Sequence, residues 1–384
     1  MWPFSKARNL TTPVLSVRCG CRRIINVRHA AVKLMITARA RLVKPMKHKM
    51  NLGLLLNGEN LLLDDILQFS RLAEKSGAES LWTSELVRDA FTPLAAVASV
   101  TESVRLGTAV ATFARPPMHT EIAAMTMAEL TNENFVLGVG TAPTNWNADG
   151  HGLTVPKPVQ RMREYVTCIQ KMWTASLEHP IDYPGTFVNV KNYGRFIDAP
   201  CTNIPIYLAA VQENMLRLAG EVGDGLLANM LNTPEYFSNI AHPNVEIGRR
   251  RVERTEENFE FATLKICSVH KDKRRARELS KQAIAFYSTL PYFDIVLDPA
   301  GFSEQKKKIR AAYNRNNFSE MIRVVTEEMV DRLVLAGTPG EILKQIEPFQ
   351  GLVDTMILAC PNFGVPPEET KSILQTMMHV FSEY

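Results

Sequence analysis

Residues 104–143 read VRLGTAVATFARPPMHTEIAAMTMAELTNENFVLGVGTAP: an apolar run, a stretch opened by a Pro-Pro pair and a second apolar run, with hardly a residue to spare between them. A strand, a helix and a strand joined this tightly make one βα unit and the start of the next, and such units force a parallel sheet covered by helices. Proline suits the first turn of a helix, where no intrahelical donor is required, and Ile122, Met125, Met127 and Leu130 supply the helix's apolar contacts. Both strands end in small residues, Gly107-Thr108-Ala109 and Gly138-Val139-Gly140-Thr141-Ala142. Such ends let a flat group approach the backbone, so a ligand shelf is expected there.

The same rhythm runs through the rest of the body. Strands are predicted at 51–56, 79–83, 104–111, 134–139, 205–210, 225–229, 259–269 and 353–359. Helices are predicted at 64–76, with Ile66, Phe69, Ser70 and Ala73 on one face and Gly77 as the stop, at 92–101, at 160–173, and around Met215, Leu218, Ala219 and Val222. Eight strands alternating with helices are the pattern of an α/β fold of the (β/α)8 TIM-barrel type rather than of an open doubly wound sheet. Residues 50–384 then form a single catalytic domain. Its insertions fall near 179–204, a hairpin around Pro184-Gly185, and near 281–331, which reads as helical. In such barrels the site lies at the C-terminal ends of the strands.

With 46% hydrophobic and 22% charged residues in 384, the chain can bury a large core. It holds no apolar stretch of about 18 residues that would span a membrane. The six cysteines (Cys19, Cys21, Cys168, Cys201, Cys267 and Cys360) show no CxxC pair and no zinc spacing, which fits reduced thiols in the cytoplasm. The formal charge of +4 is uneven: residues 1–50 hold 12 of the 44 Lys and Arg and none of the 40 Asp and Glu, so 51–384 carry a net −8. The acid-free segment 1–49 reads as an extension outside the fold, disordered or upstream of a natural start at Met46 or Met50. No aromatic residues interleave its basic ones, so no nucleic-acid partner is expected.

The strand ends give a short list: Asn57, then Thr83, Ser84 and Glu85, then 108–112, 141–145, 210–214 and Asn229. It is rich in small and amide side chains and poor in charge. No Ser-His-Asp set, carboxylate pair or HExxH motif is present, which excludes the familiar hydrolytic routes. Such a mouth suits a ligand that brings its own chemistry. Glu85 is the acidic group placed there, either a proton carrier or the salt-bridge partner of Arg88. His119 reads as a polar surface residue in the first turn of its helix, and Met118, Met125 and Met127 read as core. The turn Val211-Gln212-Glu213-Asn214 opens the fifth helix and offers a phosphate free N–H groups and a helix dipole; its plainer reading is an N-cap at Asn214. Glu213 would oppose an anion unless it points to solvent. Gly138-x-Gly140 lacks the third glycine of a dinucleotide loop.

The segments SLWTSE at 80–85, VRLGTAV at 104–110, FVLGVGTAP at 135–143, PIYLAA at 205–210 with LAGEVGDG at 218–225, and LAGTP at 335–339 occur in an order that resembles the luciferase-like (bacterial luciferase) superfamily of flavin and deazaflavin enzymes. Met215-Leu216, AGE at 219–221, AIAFY at 283–287 and the 330–346 stretch are most similar to its deazaflavin-dependent branch, the reductases similar to methylenetetrahydromethanopterin reductase. The resemblance implies coenzyme F420, a deazaflavin, or alternatively FMN, lying across the barrel mouth, with hydride transfer to or from a small organic substrate. It implies a homo-oligomer and a non-prolyl cis peptide at Ala109–Val110 that supports the ring. It maps the pocket onto Ser84, Glu85, Thr108, Ala109, Val110 and Thr141, with Glu85 as proton donor or acceptor, and the phosphate loop onto Ala210, Val211 and Gln212. The chain departs from the pattern at three places. Ser84-Glu85 stands where many deazaflavin relatives have Asp-His, Leu55 where the methylene reductases have an acid, and Val211-Gln212 where a glycine pair is frequent. The alternatives are an FMN-dependent monooxygenase served by a separate flavin reductase, and a flavin-binding barrel without catalysis.

Overall fold

The computed structural model describes residues 49–56, 61–85, 88–196, 203–254 and 258–384. The readings of the basic extension through residue 48, and of Asn57, lie outside the described residues. The strands are β1 (Asn51–Leu55), β2 (Ser80–Thr83), β3 (Arg105–Thr108), β4 (Ala111–Thr112), β5 (Phe135–Gly140), β6 (Ile181–Pro184), β7 (Asn189–Tyr193), β8 (Ile206–Ala210), β9 (Gly225–Ala228), β10 (Glu260–Val269), β11 (Leu335–Gly337) and β12 (Thr355–Ala359). The circuit β1–β2–β3–β5–β8–β9–β10–β12 returns to β1 through parallel pairs alone, which closes a barrel of eight strands. This is the expected (β/α)8 fold. The antiparallel hairpin β6–β7 fills the first insertion, and helices of the second lie between β10 and β11.

Local sequence explains the elements. The helix Leu63–Lys75 carries Asp64 and Asp65 in its first turn and Lys75 in its last, matching the helix dipole, and buries Ile66, Phe69, Ser70 and Ala73 as expected. Gly77 then takes a φ of +96°, a conformation that ends a helix without a Cβ clash. The helix Pro117–Leu130 corrects one expectation: Met125 and Met127 are buried, but Met118, Ile122 and Leu130 are 46%, 47% and 50% exposed. They share one side of the helix at spacings of four and eight residues, while Thr120, Glu121, Ala124 and Ala128 face inward. Glu121 is inside because the hairpin brings it partners: it accepts from the Tyr193 hydroxyl at 2.7 Å and from Arg195 Nη1 at 3.1 Å. Burial still pushes its carboxyl above the usual range, against those two contacts.

The third barrel strand is not continuous. Gly107 pairs with Val136, and pairing resumes at Ala111 with Val139, so one more residue is spent on this strand than on its neighbour. That is a β-bulge, and the Ala109–Val110 peptide within it is cis, as the resemblance implies. The bulge also accounts for the glycines of the next strand. A Cβ on Gly138 would lie 1.9 Å from the Thr108 carbonyl oxygen, and one on Gly140 would lie 2.7 Å from Val110 Cγ2. The neighbouring strand approaches both glycines closely, so their lack of a side chain is already accounted for by the bulge.

Inside the barrel, Trp82 is fully buried among Leu55, Ala109, Val136, Tyr207, Leu227, Leu264 and Ile357. Gly107 makes room for its ring, since a Cβ there would come within 2.3 Å of it. Below Trp82, at the N-terminal end, Glu260 gathers four strands. Arg105 Nη1 donates to it at 3.1 and 2.9 Å, Thr355 Oγ1 at 2.8 Å, and Tyr207 through its hydroxyl. A polar recess of about 210 Å³ opens at this end, lined in part by Asn51, Ser80, Arg105 and Asn134. It lies at the opposite end from the C-terminal mouth, and its cation is already neutralised by Glu260.

Candidate functional site

The end of β2 is tied to β4 by Glu85. Its Oε2 accepts the Thr112 N–H at 2.7 Å, and its Oε1 accepts from Arg115 Nη1 at 3.1 Å. The expected pairing with Arg88 is not formed. Arg88 meets Glu85 only through a backbone bridge, and its guanidinium donates to the Leu61 carbonyl at 2.6 Å. Arg115 reaches Glu85 because its loop leaves the neighbouring parallel strand at the same barrel end. It also lies 3.9 Å from Asp89 and over the Phe91 ring at 5.1 Å. Burial alone would raise the Asp89 carboxyl, but hydrogen bonds from Thr92 and Phe91 and the Arg115 charge hold it below the usual range.

The other mouth residues divide by environment. Ser84, Val110 and Thr141 are half-buried, and Ala109 and Ala210 are buried small residues at strand ends. Thr108 differs from its expected role: its hydroxyl is buried in the barrel wall and donates to the Gly138 carbonyl at 2.8 Å, so its side chain is committed to the bulge. After β5, Asn147 organises the loop by donating from Nδ2 to the carbonyls of Thr141 at 2.7 Å and Pro143 at 3.2 Å. Those bonds fix its amide, leaving Oδ1 buried and without a hydrogen-bond partner, as is the Thr112 hydroxyl on the adjoining strand β4. His119 is exposed in the first turn of its helix, as expected.

At the end of β8 the helix starts two residues earlier than an Asn214 cap would allow. Gln212, extended at φ −87° and ψ 149°, is the N-cap of the helix Glu213–Val222. The Gln212 side chain donates to the Tyr292 carbonyl at 2.7 Å, joining this turn to the helical insertion. Glu213 turns outward, 55% exposed, to Arg217 at 2.7 Å. The Val211 carbonyl accepts from the buried hydroxyl of Tyr236 at 2.9 Å. On the far side of the mouth, Phe286 of the insertion stacks on Phe363 after β12 with ring centroids 3.9 Å apart.

Among the described residues no cluster of His, Cys, Asp or Glu could hold a metal ion. An organic cofactor is better matched. Ala109 and Ala210 are small residues at the strand ends of the mouth, and the N-terminus of the helix Glu213–Val222 follows Ala210 there. Sequence reasoning missed Arg115, Asn147 and Tyr236, whose roles depend on partners 25 or more residues away or on loop geometry.

A closed parallel barrel of eight strands with a bulged third strand places the chain among the (β/α)8 barrels. The chain belongs to the luciferase-like monooxygenase family, whose model matches residues 50–356. It is similar to the 5,10-methylenetetrahydromethanopterin reductase of Archaeoglobus fulgidus, 28% identical over 315 residues that cover 79% of this chain and 91% of the relative. Its fold is shared by the coenzyme F420-dependent tetrahydromethanopterin reductase of Methanopyrus kandleri, with a TM-score of 0.72 at 21% identity over 86% of this chain and 98% of that one. It is also shared by an F420-dependent secondary alcohol dehydrogenase solved with an F420-acetone adduct, with a TM-score of 0.67 at 19% identity over 87% and 99%.

Proposed function

We propose that the protein is a coenzyme F420-dependent oxidoreductase that moves a hydride between a deazaflavin at the C-terminal mouth and a small organic substrate. The observation that carries this reading is the near end-to-end correspondence, across 91% of its length, with a methylenetetrahydromethanopterin reductase. When bound, the deazaflavin supplies a ring carbon that gives or takes a hydride. The chain supplies binding and orientation. The bulge at 108–110, with Ala109 and Val110, would support the ring from the backbone. Ser84 and Thr141 would border it, and Ala210, Val211 and Gln212 would hold the phosphate-bearing tail at the helix N-terminus. Glu85, whose oxygens already accept from Thr112 and Arg115, is the proton donor or acceptor at the mouth in this reading.

The tetrahydromethanopterin substrate is not extended to this chain. Leu55 lies in the interior cluster with Trp82, Ala109 and Ala359, so the wall is apolar where the methylene reductases carry an acid. A substrate with a neutral, compact reacting centre fits that wall better. A cytoplasmic homo-oligomer completes the reading. The thiols of Cys168, Cys267 and Cys360 are unpaired, no helix among the described residues is long and apolar enough to cross a membrane, and the stripe Met118, Ile122 and Leu130 offers a second copy an apolar face.

Titration of the purified chain with F420 and with FMN tests the reading. Preferential F420 binding, followed by loss of reduced or oxidised deazaflavin absorbance with a panel of alcohols, aldehydes and imines, supports it. FMN binding with oxygen uptake when a flavin reductase supplies reduced FMN replaces it with a monooxygenase. Tight binding without turnover across the panel leaves a carrier barrel.

A further inference from the structure

We propose that Tyr236 is a positioning residue that sets the anion-binding turn at the end of β8. By holding the Val211 carbonyl, it turns the Gln212 N–H to join those of Glu213 and Asn214 around one phosphate group. The inference rests on the cofactor reading above and concerns the phosphate-bearing tail of that ligand. Tyr236 is 3% exposed, and its hydroxyl donates to the Val211 oxygen at 2.9 Å. A trans peptide is planar, with its C=O and N–H pointing in opposite directions, so fixing the Val211 oxygen fixes the Gln212 N–H on the other side.

Three further contacts isolate this peptide as the adjustable part of the turn. The Gln212 carbonyl is already used by the N–H groups of Met215 and Leu216, both at 3.0 Å. The Gln212 side chain is drawn away to Tyr292, and the Glu213 carboxylate to Arg217, so neither stands in front of the N–H groups. Among the described residues no protein acceptor meets the main-chain N–H of residues 212–214, and the first donors of a helix have none within it.

Tyr236 is itself held firmly. The Thr233 hydroxyl accepts its N–H at 3.2 Å, its ring meets Phe237 edge-on at 5.6 Å, and the preceding loop is anchored where Lys265 Nζ donates to the Asn232 carbonyl at 2.6 Å. Burial keeps the phenol protonated far beyond neutral pH, so it remains a donor.

The test measures binding to the full chain, by fluorescence titration, of intact F420 and of the deazaflavin nucleoside that lacks the phosphate-bearing tail. Tyr236→Phe is expected to weaken F420 roughly tenfold and to leave the nucleoside unchanged. Gln212→Pro, which deletes the N–H directly at a φ that proline tolerates, is expected to give the same selective loss and guards against misfolding of the first variant. Equal weakening of both ligands, or of neither, overturns the positioning role. If the wild type binds neither ligand, the proposed function fails on its own, and the turn is read instead with inorganic phosphate. Thermal stabilisation of the wild type that Tyr236→Phe loses then supports the clamp, and its absence or equality in the two proteins overturns it.

Discussion

Lys265 is a buried cation in β10, and its replacement by methionine gives the sharpest test of the buried architecture. Its ammonium is buried between the barrel and the outer helices, with Nζ donating to the Asn232 carbonyl at 2.6 Å and the Leu333 carbonyl at 2.9 Å and lying 5.0 Å from the Phe349 ring centre. Burial pulls its pKa from 10.5 down to about 7, only partly opposed by the Glu235 charge. Between those values the unfolded chain binds a proton that the folded protein does not, so stability rises with pH from 7 towards 10.5. At about 1.4 kcal/mol per pH unit the rise is at most roughly 5 kcal/mol, and it is complete only near the unfolded value. Lys265→Met abolishes this slope but leaves two buried carbonyls without a donor, a loss of about 1–3 kcal/mol each that does not depend on pH. The two stability curves therefore converge on lowering the pH: the variant is clearly the weaker protein near pH 10, and the gap narrows steadily towards pH 7. Urea unfolding of both proteins at pH 7, 8, 9 and 9.5 reads the difference directly, because other groups titrate alike in the two. A difference that stays flat across this range would refute the assignment of a depressed lysine.

Four other outcomes are expected. Glu85→Gln and Arg115→Ala each lower stability by roughly 1–3 kcal/mol, and the double variant costs less than their sum in a denaturation cycle; additive losses would dissolve the pair. Gly138→Ala, whose Cβ would meet the Thr108 carbonyl at 1.9 Å, costs more than about 3 kcal/mol in thermal melts. Gly340→Ala, in a helix with nothing within 4 Å of the added carbon, gains about 0.5–1 kcal/mol in the same assay. Tyr193→Phe removes a donor to buried Glu121 and raises amide exchange in residues 181–193 while leaving barrel strands protected.

The eight barrel strands could be read from the sequence because each is a short apolar run closed by turn residues, and parallel pairing then follows from the helices between them. The buried face of Leu63–Lys75 was equally plain, since period and caps agree. Less could be read where a residue's meaning lies in a distant partner. Nothing near Glu85 announces Arg115, thirty residues on, and the nearer Arg88 is the obvious but wrong choice. The glycines at 138 and 140 look open to a ligand because one sequence cannot show the bulge of the strand beside them. Met118 looks like core because composition does not tell which side of an apolar helix a hairpin will cover. Lys265 drew no reading from the sequence, because its use depends on carbonyls supplied by two other elements.

The knot of Arg105, Tyr207, Thr355 and Glu260 beneath Trp82 makes the barrel a blind alley. One carboxylate thus laces β3, β8, β10 and β12 together at the end away from the mouth, so that end is braced by polar contacts where the interior above it is braced by apolar packing.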